Sequence, residues 1–121
     1  MTRILVVEDY PVTQRMLALA LRNHGYDVLI AGNGREALRL LDDQTADLAL
    51  IDIAMPEMDG IDLLRHLRTD NRFVGLPVIM VSASGQDEDR AVCLATGAND
   101  YIVKPVRPSD LIEAVSIYVT P

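Results

Sequence analysis

The sequence predicts an α/β fold: a doubly wound, five-stranded parallel sheet in the order 2-1-3-4-5, with helices on both faces. Short apolar runs rich in β-branched residues alternate with runs of helical periodicity, a pattern typical of parallel sheets. The apolar runs show almost no alternation of polar and apolar residues, as expected for strands buried on both faces. Right-handed crossovers leave few topologies, and this strand order fits five strand–helix units best.

Most elements have a sequence signal at one end or both. The predicted strands are residues 4–7, 27–31, 47–52, 77–81 and 101–103. The predicted helices are residues 11–24, 35–41, 59–67 and 86–96, and a last one that begins at about 109. Pro11 suits a first helical position, and Gly25 and Gly97 suit left-handed helix stops. Asp59 and Ser109 have side chains that favour the N-cap position.

Composition and charge argue against several classes of protein. The chain is 50% hydrophobic, but no apolar run approaches the roughly 20 residues that span a bilayer, so we expect no membrane association. The formal net charge of −7 argues against direct binding of nucleic acid, which requires basic patches. Cys93 is the only cysteine, which excludes an internal disulfide and favours a cytoplasmic location. The acidic surface gives no clear apolar patch, and we expect a monomer or weak dimer.

Polar side chains collect where four of the predicted strands end. Glu8 and Asp9 follow the first strand, and Asp52 ends the third. Ser82 ends the fourth strand, and Lys104 follows the fifth. Each has an ordinary interpretation alone, as a capping acid, a turn serine or a surface lysine. Because ligands of such sheets bind outside the carboxyl ends of the strands, the convergence of all five on one rim favours a functional site.

Asp52 is the least ordinary of these residues because it stands in the apolar run 49–55. A buried carboxylate needs a partner or loses its charge. Two like charges cost about 4 kcal/mol at a separation of about 4 Å and an effective dielectric of about 20. Lys104 supplies one positive charge against three carboxylates, so a hard divalent cation fits, and oxygen ligands favour Mg²⁺ over zinc. A carboxylate, Mg²⁺, a lysine and a hydroxyl are the components of a phosphoryl-transfer site.

Four segments resemble the receiver domain of two-component response regulators. They are residues 6–9 (VVED), 50–60 (LIDIAMPEMDG), 78–83 (VIMVSA) and 101–105 (YIVKP). The resemblance covers about residues 2–119, and the four motifs are specific together although none is alone. It implies a single flavodoxin-like receiver domain over residues 1–121, acting as a signalling switch rather than as a turnover enzyme.

The resemblance also implies roles in phosphoryl transfer. Asp52 would accept a phosphoryl group from a histidine kinase or a histidine phosphotransfer protein. Asp9, Asp52 and the backbone carbonyl of Ala54 would hold Mg²⁺, for which Mn²⁺ could substitute, and Glu8 would do so through water. Pro56 would stiffen the turn that follows.

Further residues would carry the switch. Lys104 would contact the phosphoryl group, Ser82 would move to hydrogen-bond it, and Tyr101 would turn inward as space opens. The Lys104–Pro105 peptide bond would be cis. The surface of the fourth helix, fifth strand and fifth helix would then change and be read by an output partner, which the sequence does not identify.

Two positions bear on how long a phosphoryl group survives. Ala54 and Ser84 lie two residues after Asp52 and Ser82, where this family tunes phosphate lifetime. We hypothesise that Ala54 cannot orient an attacking water, so that the lifetime of the phosphoryl group is set by the access of water by other routes. Glu8 and Ser82 stand where the family more often has Asp and Thr.

Three alternatives share the fold or the chemistry. A haloacid-dehalogenase-like phosphatase needs a second aspartate two residues after the nucleophile, where this chain has Ala54. A flavodoxin-like FMN carrier would require a Ser/Thr/Gly-rich phosphate loop where Glu8 and Asp9 stand. A pseudo-receiver would use the same fold as a binding module without phosphorylation of Asp52.

Overall fold

The computed structural model describes residues 1–55 and 58–121, and the predicted role of Pro56 lies outside them. Strands and helices alternate strictly along the described chain. The strands are Arg3–Val7 (β1), Asp27–Ala31 (β2), Leu48–Asp52 (β3), Val78–Ser82 (β4) and Asp100–Val103 (β5). The helices are Pro11–Asn23 (α1), Gly34–Asp43 (α2), Gly60–Thr69 (α3), Asp87–Thr96 (α4) and Pro108–Ser116 (α5). None of the helices in these ranges is both long and apolar enough to span a bilayer.

The sheet has the predicted topology. Its order is β2-β1-β3-β4-β5, and each neighbouring pair is parallel. Asp52 is in register with Val81 of β4, and Ser82 is in register with Val103 of β5. The carboxyl ends of β1, β3, β4 and β5 therefore lie side by side along one edge, which is where the predicted site residues stand.

Helices cover both faces of the sheet and create two apolar layers. Every residue of β3 and β4 is buried. Ile51 and Met80 pack in the layer on one face, whereas Leu50 and Ile79 pack in the layer on the other. Each fully buried side chain of this size contributes roughly 1.5–3 kcal/mol relative to exposure. Burial on both faces explains why the sequences of β3 and β4 are continuously apolar until their last residues, Asp52 and Ser82.

Most of the predicted helix boundaries are confirmed. Pro11 is the first residue of α1. Gly25 has a φ of 94° and Gly97 a φ of 119°, the left-handed conformation that favours glycine. The Asp59 side chain accepts a hydrogen bond of 2.9 Å from the backbone N–H of Asp62, so it caps α3 as predicted.

The predicted cap of the last helix is wrong. α5 begins at Pro108, its cap position is Arg107, and no side-chain hydrogen bond caps it. Proline has no N–H and its fixed φ suits the first helical position, so the helix starts one residue earlier than Ser109. Ser109 therefore lies inside the first turn of α5 rather than at its cap.

Candidate functional site

The rim of the sheet brings the predicted carboxylates together. Asp52 is 5% exposed and Glu8 only 1%, whereas Asp9 is exposed. Each of these residues offers a carboxylate oxygen, and the three atoms all lie within 4.8 Å of one another. Two of the three acids are thus buried beside a third, an arrangement that accumulates negative charge at low dielectric.

Lys104 reaches this cluster from the residue after β5. Its Nζ lies 2.9 Å from Glu8 Oε1 and 3.4 Å from Asp52 Oδ1. Burial lowers the pKa of Lys104, but the hydrogen bond to Glu8 and the charge of Asp52 outweigh it, so the pKa is raised overall. The lysine therefore stays protonated and bridges the two buried acids, although one cation does not balance three carboxylates.

Glu8 is the least satisfied acid of the cluster. Burial is the largest cause of its raised pKa of about 7, the neighbouring Asp52 carboxylate also raises it, and Lys104 opposes both. Among the residues that the structure describes, its buried Oε2 atom has no hydrogen-bond partner. An oxygen-only donor set with an unpaired buried oxygen fits a hard divalent cation of the Mg²⁺ type.

The loop that carries Glu8 and Asp9 is held by its backbone. The Glu8 N–H donates to the Ala31 carbonyl of β2 at 3.0 Å. The Gln14 side-chain amide donates to the Glu8 carbonyl at 2.8 Å. No side-chain hydrogen bond caps α1 at Tyr10, so neither acid serves as the ordinary helix cap that its position allowed. Sequence reasoning missed Gln14, whose only signal is its place in the first turn after the acidic pair.

Ser82, Ser84 and Tyr101 form one hydrogen-bonded group beside the pocket. The Ser84 N–H donates to Ser82 Oγ at 3.1 Å, and the Tyr101 hydroxyl donates to the Ser84 carbonyl at 2.7 Å. The Ser84 hydroxyl donates to the carboxylate of Asp89 in α4. Tyr101 is only 4% exposed, so its ring lies inward in this structure, and the dependence of that position on phosphorylation stays a prediction.

Gly60 supports the backbone of Asp52. A Cβ atom on Gly60 would lie 2.2 Å from the Asp52 carbonyl oxygen and 2.8 Å from Ile53 Cα. The Gly60 N–H donates to the Ile53 carbonyl at 2.9 Å, so the start of α3 is packed against the end of β3. Sequence reasoning treated Gly60 only as part of a motif. The need for glycine follows from a close approach of two segments that sequence spacing does not reveal.

The two remaining predicted features lie at the rim as well. Ala54 is exposed two residues after Asp52. The Lys104–Pro105 peptide bond is cis.

The fold and the rim define a regulatory α/β domain with an acidic pocket that could bind a metal. The chain belongs to the response regulator receiver domain family, whose model matches residues 4–116. It is therefore a receiver domain of two-component signalling, and the predicted family and fold are confirmed.

Named relatives and solved structures agree with this assignment. The DNA-binding response regulator MtrA of Mycolicibacterium smegmatis is 40% identical over 113 residues, which are 93% of this chain and 48% of MtrA. The chain thus spans about half the length of that relative. The chemotaxis protein CheY4 of Vibrio cholerae has a TM-score of 0.93 at 28% identity, covering 98% of this chain and 99% of CheY4.

A further solved structure bears on the acidic pocket. The receiver domain of sensor histidine kinase PA1611 of Pseudomonas aeruginosa has a TM-score of 0.88 at 33% identity. The match covers 97% of this chain and 96% of that domain, which has a magnesium ion coordinated in its active-site cleft.

Proposed function

We propose that this receiver domain is switched by phosphorylation of Asp52, with a phosphohistidine as donor. The observation that carries the proposal is the position of Asp52. It is buried at the end of β3, beside two further carboxylates and 3.4 Å from the ammonium of Lys104. A carboxylate held among acids lowers the stability of the fold, and a nucleophile for phosphoryl transfer is a function that requires such a negative charge.

The proposed metal ligands are Asp9, Asp52 and the backbone carbonyl of Ala54, with Glu8 acting through water. Bound Mg²⁺, or Mn²⁺ in its place, would neutralise charge on the phosphoryl oxygens. The unpaired Oε2 of Glu8 and the oxygen-only donor set support this assignment. So does the magnesium ion in the related PA1611 receiver domain.

In the proposed transfer, a carboxylate oxygen of Asp52 attacks the phosphorus atom of the donor. The phosphorus–nitrogen bond of the phosphohistidine breaks, and its electron pair returns to the imidazole nitrogen. Lys104 would move from Glu8 toward the new phosphoryl oxygens, a short step because it already lies between the two acids. The domain would assist its own phosphorylation and dephosphorylation without acting as a turnover enzyme.

The proposed switch runs from the phosphoryl group through Ser82. The Ser82 hydroxyl oxygen accepts a hydrogen bond from the Ser84 N–H. The hydroxyl proton of Ser82 is therefore free to be donated to a phosphoryl oxygen. Ser84 also contacts Tyr101 of β5 and Asp89 of α4. A shift of Ser82 would therefore change the surface of α4, β5 and α5, and phosphorylation would bias an equilibrium between two arrangements of that surface.

The proposed partners follow from the family. A histidine kinase or histidine phosphotransfer protein would supply the phosphoryl group in the cytoplasm, and an output domain or protein would read the changed surface. The relative MtrA is a DNA-binding response regulator. With a net charge of −7, this domain would act on such an output indirectly, as a monomer or weak dimer, rather than by contacting nucleic acid itself.

Acetyl phosphate with Mg²⁺ tests the proposal, because its phosphorus–oxygen bond breaks to release acetate and transfer the phosphoryl group. Intact-mass spectrometry should show one added phosphoryl group on the wild type and on the control Asp43→Asn, which alters an exposed acid of α2. The Asp52→Asn variant should show none. No added mass on the wild type with acetyl phosphate or with a phosphorylated histidine donor would instead favour the pseudo-receiver alternative.

A further inference from the structure

We propose that Gln14 is a positioning residue for the metal ligands of the β1–α1 loop, residues 8–10. This inference rests on the proposed Mg²⁺ site and adds a residue to it. Gln14 lies on α1 and is half-buried. Its side-chain amide donates to the backbone carbonyl of Glu8 and not to a carboxylate of the acidic cluster. It acts on the backbone from which Glu8 and Asp9 project.

The geometry restrains Glu8 from two sides. Its N–H is bonded to Ala31 of β2 at 3.0 Å, and its carbonyl accepts from the Gln14 amide at 2.8 Å. The backbone N–H of Gln14 also donates to the Tyr10 carbonyl at 2.9 Å. One residue of α1 therefore holds both the first and the last carbonyl of the loop.

The loop has little else to fix it to α1. Tyr10 provides no side-chain cap, and Pro11 has no N–H to donate. Among the described residues, Gln14 supplies the only side-chain hydrogen bond to the backbone of residues 8–10. The side-chain amide of Gln14, in the first turn of α1, thus takes the place of a conventional helix cap by bonding the Glu8 carbonyl of the loop.

Charge makes this restraint matter for metal binding. The Glu8 and Asp9 carboxylates lie within 4.8 Å of each other and of Asp52, so their mutual repulsion favours an outward shift of the loop when no cation is bound. Removal of a group that orients a metal ligand typically weakens metal binding by roughly 10–100-fold. Loss of the Gln14 donor should weaken Mg²⁺ binding by about tenfold, the lower end of that range, because one hydrogen bond is removed.

The test is the Mg²⁺ affinity of purified variants by titration calorimetry, together with urea unfolding in EDTA. Gln14→Met keeps the length of the side chain without a donor, and Gln14→Asn keeps the amide but is too short to reach. Gln44→Met is the matched control, since Gln44 is an exposed glutamine at the end of α2. Both Gln14 variants should bind Mg²⁺ about tenfold more weakly than the wild type, and the control should bind unchanged.

Urea unfolding reports the general stability of each variant, and titration calorimetry reports its Mg²⁺ affinity, so the two readouts separate positioning of the ligands from stability of the fold. Wild-type Mg²⁺ affinity in folded Gln14→Met and Gln14→Asn would overturn the inference and leave the proposed function intact. An equal loss of affinity in Gln44→Met would overturn it too, because the effect would then not be specific to Gln14. A wild type that neither binds Mg²⁺ nor accepts a phosphoryl group would overturn the proposed function, and this inference with it.

Discussion

Lys104 lies closer to Glu8 than to Asp52: its Nζ is 2.9 Å from the first carboxylate and 3.4 Å from the second. The lysine therefore pairs most closely with the acid whose second oxygen has no partner, rather than with the proposed phosphoacceptor. One cation, Lys104, lies between two buried acids, and the described side chains of the pocket carry an excess of negative charge.

Glu8→Gln should stabilise the metal-free protein by about 1 kcal/mol, in the range typical of relieving strain at functional sites. Above the pKa of Glu8, about 7, the substitution removes a buried negative charge, and the new amide can donate to Asp52. Urea unfolding in EDTA measures this gain, and titration calorimetry should show weaker Mg²⁺ binding. Glu113→Gln, at an exposed acid beyond the first turn of α5, is the control and should change neither quantity. A less stable Glu8→Gln variant in EDTA would contradict the charge-repulsion account.

Gly60→Ala should destabilise the fold by about 1–3 kcal/mol, the usual cost of overpacking. The added methyl group would lie 2.2 Å from the Asp52 carbonyl oxygen, so α3 or the end of β3 must move. Acetyl phosphate should then label Asp52 more slowly, since the backbone of this proposed phosphoacceptor shifts. Gly75→Ala is the matched control, because no atom lies within 4 Å of its added Cβ. Equal stability and labelling of the two variants would show that the close approach has no effect.

Arg68→Lys should cost about 2 kcal/mol of unfolding free energy, because several hydrogen bonds to a charged donor are lost or weakened. The Arg68 guanidinium donates to Gly97 O at 2.8 Å, Phe73 O at 2.9 Å and Asn99 Oδ1 at 3.1 Å. A lysine ammonium cannot reproduce this planar fork. Arg65→Lys is the control, since Arg65 makes one exposed pair with Asp62. Similar losses for the two variants in urea unfolding would refute the prediction.

The Arg3–Asp27 pair should give the protein an acid-dependent contribution to stability. Arg3 Nε lies 2.8 Å from Asp27 Oδ2, and this hydrogen bond is the largest cause of the lowered pKa of Asp27, whose ordinary value is 3.8. A lowered folded-state pKa means that the unfolded chain binds more protons in this range. The contribution is therefore complete above the ordinary value and disappears as the pH falls through the folded-state value.

Urea unfolding of the wild type and of Asp27→Asn from about pH 5.5 to about pH 2.5 measures this contribution. The wild type should be the more stable of the two at the upper end, and the difference should shrink as the pH falls below 3.8. A difference that stays constant over the whole range would exclude Asp27 as its source.

Ala54→Asn should shorten the lifetime of the phosphoryl group on Asp52. Ala54 is exposed next to the pocket and its methyl group cannot orient water, whereas an asparagine amide can hold a water molecule for attack on phosphorus. Decay after loading with acetyl phosphate measures the lifetime. Ala95→Asn, at an exposed position of α4, should decay like the wild type. An unchanged lifetime in Ala54→Asn would count against the hypothesis that Ala54 limits hydrolysis.

The sheet order and the shared rim could be predicted from the sequence because both depend on one-dimensional patterns. Apolar runs mark buried strands, and Asp52, Ser82 and Lys104 stand where those runs end. The parallel topology then brings strand ends together without any knowledge of side-chain geometry. Knowledge of the receiver family supplied the detailed roles, which no spacing in this chain could have assigned.

The remaining features depend on distances that the sequence does not encode locally. The hydrogen bond from Arg68 to Gly97 joins residues 29 positions apart. The requirement for Gly60 arises from packing against the Asp52 backbone. The residue type of Ser109 favours a cap, but the backbone preference of Pro108 decides where α5 begins. Tertiary contacts and proline geometry thus overrode local propensity at these positions.

The inward position of Tyr101 has a consequence for how strongly this receiver can signal. The ring is packed and its hydroxyl donates to the Ser84 carbonyl, so contacts within the chain are enough to hold it inward. Under the proposed function, phosphorylation would need to supply free energy for rearranging Ser82 and Lys104 but not for burying an aromatic side chain. Under the proposed function, an output partner that binds the surface left by the inward ring would therefore also bind unphosphorylated molecules, which would raise the resting output and reduce the ratio of output between the phosphorylated and unphosphorylated states.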